Sequence, residues 1–421
     1  MDPKSLEVMA PAGSFDCLHA ALDAGADAVY FGVGKLNMRS RSAHNFQEED
    51  LPEIVRLCRE RHVRTYLTLN ITLFDAEKEA ARRVLDQAAA CGVDAVIASD
   101  MAVILYARQI GMEVHISTQL SISNTDAVRF YAQWADVIVL ARELDLDQVK
   151  AIHEAILNEP ICGPSGHPVR IEMFVHGAFC MSVSGKCQLS LHTYGASANR
   201  GACLQVCRRG YLVRDAETGN ELEIDNPYIL SPKDLCTIEF LDRFIESGVK
   251  VFKIEGRARS AEYVSRCVRC YREAADAVCA GRFTPELAAR LKERLAEVFN
   301  RGFWNGYYLG APMDGWSRRY GNQSTRRKVY IGKVTNWFDR IGVAEIAVES
   351  VGLDRGAELM AIGASTGLLE FRADDIRVEG RPAGRVEKGT LCSVGLDGTG
   401  RLRRGDKIYL WVSAGAVGEE D

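Results

Sequence analysis

Three times in the first 254 residues a helix-like amphipathic stretch runs into a glycine and then into a short β-rich run. These are Gly25-Ala-Asp-Ala-Val-Tyr-Phe-Gly32, Gly92-Val-Asp-Ala-Val-Ile-Ala98 and Gly248-Val-Lys-Val-Phe-Lys-Ile254, with Trp134-Ala-Asp-Val-Ile-Val-Leu140 as a weaker copy. A glycine suits the position just past the last helical turn, and an unbroken Val/Ile run is a strand covered on both faces. Candidate strands lie near residues 6–10, 27–31, 64–69, 94–98, 113–116, 136–140, 170–175 and 250–254. Eight strands separated by helical patterns predict an α/β fold, a (β/α)8 TIM-like barrel; the alternative is an open doubly wound sheet, and the count of eight favours the barrel.

Two stretches break the alternation. Residues 177–227 are rich in Cys, Gly, Ser and Asn and show no period, which reads as a Cys-rich insertion after the seventh strand. Long irregular loops in compact domains are usually functional or disordered, and clustered cysteines argue for function. The barrel with this insertion takes residues 1–310. Residues 311–327, with Pro312, Gly315, Gly321 and Arg326-Arg327 leading into Lys328, read as a linker. From 328 to 414 short β-type runs alternate with Gly-bearing turns: 329–331, 343–348, 358–362, 368–371, 391–394 and 407–412. These predict a small C-terminal all-β barrel, followed by a frayed tail at 415–421.

Composition narrows the function classes. Lys plus Arg is 52 and Asp plus Glu is 57, a formal charge of −5, so a uniformly basic nucleic-acid coat is excluded while a local basic patch is not. No apolar run approaches the ~18 residues of a membrane helix, and the start, Met1-Asp2-Pro3-Lys4-Ser5, lacks a signal-peptide layout. A soluble, cytoplasmic protein with no membrane partner is expected, and in that compartment disulfides are a poor explanation for 13 cysteines.

Cys180, Cys187, Cys203 and Cys207 fall within 28 residues, spaced C-x6-C-x15-C-x3-C. Four thiolates saturate one tetrahedral zinc or one iron–sulfur cube. Structural zinc usually takes two tight knuckles, and only the second pair here is tight, so the spacing favours the cube over zinc. The alternatives are four structural cysteines or a redox disulfide. Cys267-Val-Arg-Cys270 lies in a helical stretch and reads as packing. No His-Glu-x-x-His or Gly-x-Ser-x-Gly motif supports a hydrolytic protease.

The run Glu172-Met-Phe-Val-His-Gly-Ala-Phe-Cys180, continuing to Cys187-Gln-Leu-Ser190, closely resembles the signature of the peptidase U32 family. So do Asn199-Arg-Gly-Ala-Cys203, Ser231-Pro-Lys-Asp-Leu235, Lys253-Ile-Glu-Gly-Arg257, Ala10-Pro-Ala-Gly13 and His115-Ile-Ser-Thr-Gln119, so the resemblance covers most of residues 6–310. The C-terminal part is similar to the β-barrel extension of some members. The resemblance implies a [4Fe–4S] cluster held by Cys180, Cys187, Cys203 and Cys207, with Cys236 in reserve. It implies oxygen-independent hydroxylation, most similar to the branch that makes 5-hydroxyuridine at the tRNA wobble position with prephenate as co-substrate. Other branches imply rRNA cytidine or ubiquinone-precursor hydroxylation, or a cluster-bearing accessory subunit. The family's name implies a collagenase-like peptidase. Cys207 is followed by Arg208-Arg209-Gly210-Tyr211, where the tRNA branch often carries an Arg-Trp pair.

Barrel chemistry sits at the C-terminal ends of strands. The polar residues there are Asn70, His115, Ser117, Gln119, Arg142, Glu143, Glu172, His176, Lys253, Glu255 and Arg257. Lys253, Glu255 and Arg257, spaced by two, share one face of a strand and suit an anion such as prephenate, with Glu255 orienting the basic pair. The alternative is a salt-bridged strand end. His176, four residues before Cys180, is a candidate proton donor beside the cluster or a hydrogen-bonding support for it. The expected catalytic set is therefore His176, Lys253, Glu255 and Arg257. Arg208-Arg209, Arg257, Arg259, Arg318-Arg319 and Arg326-Arg327-Lys328 form a candidate RNA-facing patch. The expected partners are tRNA and a partner subunit or a second copy of the chain.

Overall fold

A computed structural model describes residues 5–41, 45–212, 214, 216–218, 228–310, 315–396, 398 and 400–415. The insertion at 219–227, the linker at 311–314 and the tail from 416 lie outside the described residues. β1 (Glu7–Pro11), β2 (Ala28–Phe31), β3 (Arg64–Leu69), β4 (Ala95–Ala98), β5 (Glu113–Ile116), β6 (Val137–Val139) and β7 (Arg170–Gly177) pair in parallel in chain order. After β8 (Asp234–Cys236), β9 (Val249–Ile254) pairs in parallel with both β7 and β1 and closes an eight-stranded barrel. β8 itself runs antiparallel to the end of β7, and β10 (Phe303–Trp304) adds to it in parallel.

Helices α1 (Phe15–Asp23), α2 (Leu51–Glu60), α3 (Lys78–Cys91), α4 (Met101–Gln109), α5 (Thr125–Ala132) and α6 (Leu146–Asn158) fill the crossovers. α7 (Leu189–Tyr194) lies in the insertion; α8 (Leu241–Glu246), α9 (Ala261–Cys279) and α10 (Pro285–Ala296) follow. α3 shows why these segments are helices. It buries Ala81, Val84, Leu85 and Ala88, one stripe at helical spacing, and stops at Gly92, whose φ of 83° a side chain would resist. α6 starts at a capping box in which Asp145 and Gln148 satisfy each other's backbone N–H.

Strand alternation sends Met9, Ala28, Tyr30, Tyr66, Ala95, Ile97, Val137 and Val251 into the barrel, where they form a core of their own. Ala28 and Ala95 leave room for the two tyrosines. Tyr66 lies 4.4 Å, centroid to centroid, from the ring of His115. The barrel interior is thus packed but polar along one line.

The C-terminal region is antiparallel and all-β. Its strands are β11 (Arg326–Phe338), β12 (Val343–Val348), β13 (Leu353–Asp354), β14 (Glu358–Gly363), β15 (Gly367–Arg372), β16 (Ile376–Val378), β17 (Arg381–Pro382), β18 (Arg385–Val386), β19 (Leu391–Gly395) and β20 (Lys407–Ser413). Eight of them form one sheet in the order β15-β14-β20-β11-β12-β19-β16-β17, and β13 pairs with β18. Ile331, Val334, Ile346, Leu359, Phe371 and Ile408 belong to its separate core. Met360 and Trp411 instead join the core of the barrel domain. The basic run at 326–328 opens β11 rather than lying in a linker, and its charges are engaged: Arg326 pairs with Glu358, and Lys328 with Glu262 of α9 at 2.9 Å. Both cations thus have carboxylate partners. Among the described residues no helix is long and apolar enough to cross a membrane.

Candidate functional site

The strand ends and the insertion enclose a cavity of about 380 Å³ at the C-terminal face of the barrel. Thr68 and Asn70 reach it from β3 and its loop, Arg142 from the loop after β6, Phe174 from β7, and Lys253, Glu255 and Arg257 from the end of β9. Cys180, Cys187, Cys203 and Cys207 line the same space, so the insertion folds back over the barrel mouth. Backbone and side-chain contacts hold it there. The Ser40 hydroxyl donates to the Gly201 carbonyl at 3.1 Å, Arg142 to the Ala178 carbonyl at 3.1 Å, and Arg208 to the Pro232 carbonyl at 3.2 Å.

All four thiols are half-buried. Burial pushes the Cys207 thiol up, Arg208 draws it down, and the nearby Cys180, Cys203 and Cys187 push it up again. Four half-buried thiols on one cavity are a soft donor set, the chemistry of a thiolate-bound metal group. Among the described residues no three His, Cys, Asp or Glu side chains converge as the ligands of one ion would. Cys236 stands apart from this set. It is buried, lines a different cavity of about 510 Å³, and its sulfur lies 3.8 Å from the Tyr271 hydroxyl. Cys267 and Cys270 are fully buried in α9, as packing residues are.

Lys253, Glu255 and Arg257 are brought together as their spacing predicts, with different partners. Lys253 Nζ lies 2.5 Å from Glu172 Oε1, and 4.8 Å from the centre of the Tyr30 ring. The other Glu172 oxygen faces His115 Nδ1 at 3.3 Å, and His115 Nε2 faces Glu113 at 3.3 Å. Burial alone would raise the Glu172 carboxyl; Lys253 and His115 outweigh it and hold it well below the usual range. Burial alone would lower His115; Glu113 and Glu172 outweigh that and raise it. Glu255 orients Arg39 rather than the basic pair: Arg39 donates to Glu255 Oε1 through Nε at 3.2 Å and through Nη2. Burial raises the Glu255 carboxyl, but Arg39, Arg142 and Arg257 bring it down to about 2. Arg257 donates to Asn37 Oδ1 at 3.0 Å and to Thr68 Oγ1 at 2.6 Å, and burial lowers its guanidinium to about 10.

His176 is not in the cavity. Pairing between β7 and β9 shifts register between Phe174 and His176, so Phe174 stands opposite Lys253 but His176 opposite Ile254. The bulge turns the imidazole away from the barrel mouth. It packs among Tyr263, Tyr271 and Phe303, with Nδ1 3.4 Å from the Tyr271 hydroxyl, and burial lowers its pKa to about 3. A neutral, enclosed imidazole of this kind is a packing group, not a proton donor at the cysteines.

The cavity also holds cations the strand-end pattern could not reveal. Arg39, in the loop after β2, and Arg301, just before β10, both line it, as do Arg208 and Arg259. Arg301 pairs with Asp234 at 3.1 Å. Seven cationic side chains therefore line the cavity, and Glu255 is the carboxylate among its lining residues. Lys253, Arg39 and Arg301 have carboxylate partners. Arg142, Arg208 and Arg257 bond instead to carbonyls, hydroxyls or an amide oxygen, and Arg259 lies 3.6 Å from the centre of the Phe299 ring. Of the other strand-end candidates, Asn70, Ser117 and Gln119 line the cavity, while His115 and Glu172 lie deeper inside the barrel.

Comparison with known proteins places this arrangement. The family model described as Peptidase family U32 matches residues 13–318. A protein of Porphyromonas gingivalis named "Collagenase" is 52% identical over 97% of this chain and 98% of its own length. The "tRNA hydroxylation protein P1" of Bacillus subtilis is 33% identical over 79% of this chain and 78% of its own. The "23S rRNA 5-hydroxycytidine C2501 synthase" of Escherichia coli is 36% identical over 65% of this chain and 40% of its own. The cysteine-lined barrel mouth lies within the matched span, and the chain belongs to peptidase family U32.

Proposed function

We propose that this chain is an iron–sulfur RNA-modifying enzyme that hydroxylates a tRNA uridine to 5-hydroxyuridine without molecular oxygen, using a small anionic co-substrate of the prephenate class. The observation that carries the reading is one cavity shared by four half-buried thiols and seven cations, four of them without a carboxylate partner among the described residues. Four thiols lining one space, with only one pair spaced as tightly as a zinc knuckle, suit a group with several metal corners. A [4Fe–4S] cluster bound there supplies one-electron chemistry. Unpaired guanidinium groups in a half-enclosed space favour an anion with more than one carboxylate, since each buried charge is costly until paired.

The chain's own residues divide the remaining work. Cys180, Cys187, Cys203 and Cys207 hold the cluster. Lys253 and Arg257 receive the anion. Glu172 holds Lys253 in place, and Asn37 with Thr68 aims Arg257. Glu255 fixes Arg39 at the rim. The relatives named for tRNA and rRNA hydroxylation support RNA as the substrate class. The reading puts the chain in the cytoplasm, where such RNA is found. Mass spectrometry of tRNA nucleosides from a deletion strain lacking paralogues tests it: 5-hydroxyuridine derivatives disappear if it is right, and unchanged levels overturn it.

A collagenase-like peptidase is the second reading, favoured by the name of the 52% identical relative. Gelatin cleavage by cluster-loaded protein, abolished by Lys253→Met, supports that reading. A cluster-bearing protein active only with a partner subunit is an accessory component of another hydroxylase.

A further inference from the structure

The lining of the cavity is not uniformly charged. The loops after β3 and β5 contribute Asn70, Ser117, Thr118 and Gln119, all neutral and polar. Three of these side chains bond to one another. The Met38 backbone N–H donates to Asn70 Oδ1 at 3.2 Å, and Asn70 Nδ2 donates to Ser117 Oγ at 3.4 Å and to Gln119 Oε1 at 3.3 Å. The Ser117 hydroxyl also donates to Gln119 Oε1. The cysteine insertion closes on the same wall: a Cβ at Gly185, just before Lys186 and Cys187, would lie 3.0 Å from both Gln119 Cγ and Met38 Cε.

This chain of bonds has one direction. A backbone N–H can only donate, so Asn70 turns its oxygen to Met38 and its NH2 group to Ser117 and Gln119. Gln119 then turns its oxygen to Asn70, and that oxygen accepts twice. Its Nε2 keeps two N–H donors without a partner among the described residues, on a side chain that lines the cavity. A carboxylate is drawn to the guanidinium groups rather than to this neutral wall. A fixed neutral donor matches a neutral acceptor, such as the carbonyl of a base taken out of its stack. Uracil offers O4 there, whereas cytosine offers N4–H2, a donor that would face the Gln119 donors.

We propose that Gln119 Nε2, oriented by Asn70 and Ser117, donates to O4 of an unpaired uracil drawn into the cavity and so selects uracil over cytosine. The proposal deepens the RNA-hydroxylation reading and rests on it. The test uses the full chain purified without air and two fluorescein-labelled RNA stem-loops, read by fluorescence anisotropy. The two are identical but for one loop pyrimidine, uridine in one and cytidine in the other. The readout is the ratio of their affinities, which a general loss of RNA binding does not move. Wild type binds the uridine loop about tenfold to a hundredfold tighter. Gln119→Met, which keeps the length of the side chain and removes the amide, brings the two loops within about twofold of each other. Asn70→Asp accepts from Met38 but cannot donate, so Gln119 turns its amide over and the preference shifts toward cytidine. This second variant serves if Gln119→Met does not fold. Wild type that binds both loops equally, or variants that keep its uridine preference, overturn this inference and leave the RNA reading standing. Wild type that binds neither loop overturns both.

Discussion

Gly32 sits directly against the guanidinium of Arg257: a Cβ at position 32 would lie 2.5 Å from Arg257 Nη1 and 2.6 Å from Asn37 Cγ. The residue just past the end of β2 thus sets the room for Arg257, which lines the cavity from just past the end of β9. Gly32→Ala forces the guanidinium off Asn37 and Thr68. The expected cost is about 1–3 kcal/mol, as for other overpacked interiors, read as a lower urea midpoint, together with loss of prephenate binding in calorimetry. Unchanged stability and binding would show that Arg257 has room the close contact denies.

The Lys253–Glu172 pair is buried on both sides, at 6% and 0% side-chain exposure. Lys253→Met leaves the Glu172 carboxylate with His115 alone and is expected to cost about 3 kcal/mol or more. Lys253→Met/Glu172→Gln is expected to cost less than the sum of the two single changes, because each single change strands the other's charge. Additive urea-denaturation energies would mean that the pair is not coupled.

Protein purified without air is expected to hold about four irons and four acid-labile sulfides per chain. Cys203→Ala loses them, whereas Cys236→Ala keeps them, because Cys236 faces a different cavity. Metal and sulfide analysis of the two variants side by side decides the ligand set. Loss in both, or in neither, contradicts the geometry.

His176 is held neutral, with its pKa lowered from 6.5 to about 3 by burial. The unfolded chain binds a proton there in the window between those values and the folded chain does not. Stability from this group is therefore complete above the higher value and declines as pH falls toward the lower one. Moving from about pH 7 to about pH 5 is expected to cost the wild type about 2 kcal/mol more than it costs His176→Phe. Urea melts at the two pH values measure this. Equal slopes would mean that the imidazole is protonated in the folded protein.

Much of this was legible in the sequence. All eight barrel strands announce themselves because each is a short run buried on both faces, three of them marked by a preceding glycine, and that signal is local. The trio Lys253, Glu255 and Arg257 lines one cavity because the three sit at and just past the end of one strand, which is also local. The four cysteines share one space because the insertion that carries them is a single excursion. What the sequence concealed is non-local. Arg39 meets Glu255 from 216 residues away, and Asp234 meets Arg301 across 67. β8 and β10 are three and two residues long, too short for a local signal, and they form because β8 pairs with the end of β7 and β10 with β8. His176 was misplaced because one bulge breaks the alternation that the reading assumed. The engagement of Arg326 and Lys328 depends on Glu358 and Glu262, which a run of basic residues does not reveal.

Met360 and Trp411 belong to the core of the barrel domain although they lie on strands β14 and β20 of the C-terminal region. Arg266 of α9 reaches Glu370 of β15 at 3.0 Å across the same seam. The two regions therefore cannot come apart without wetting a shared apolar interior. They should melt as one cooperative unit with a single calorimetric peak, and a protease that nicks the connecting segment should leave the two pieces bound to each other.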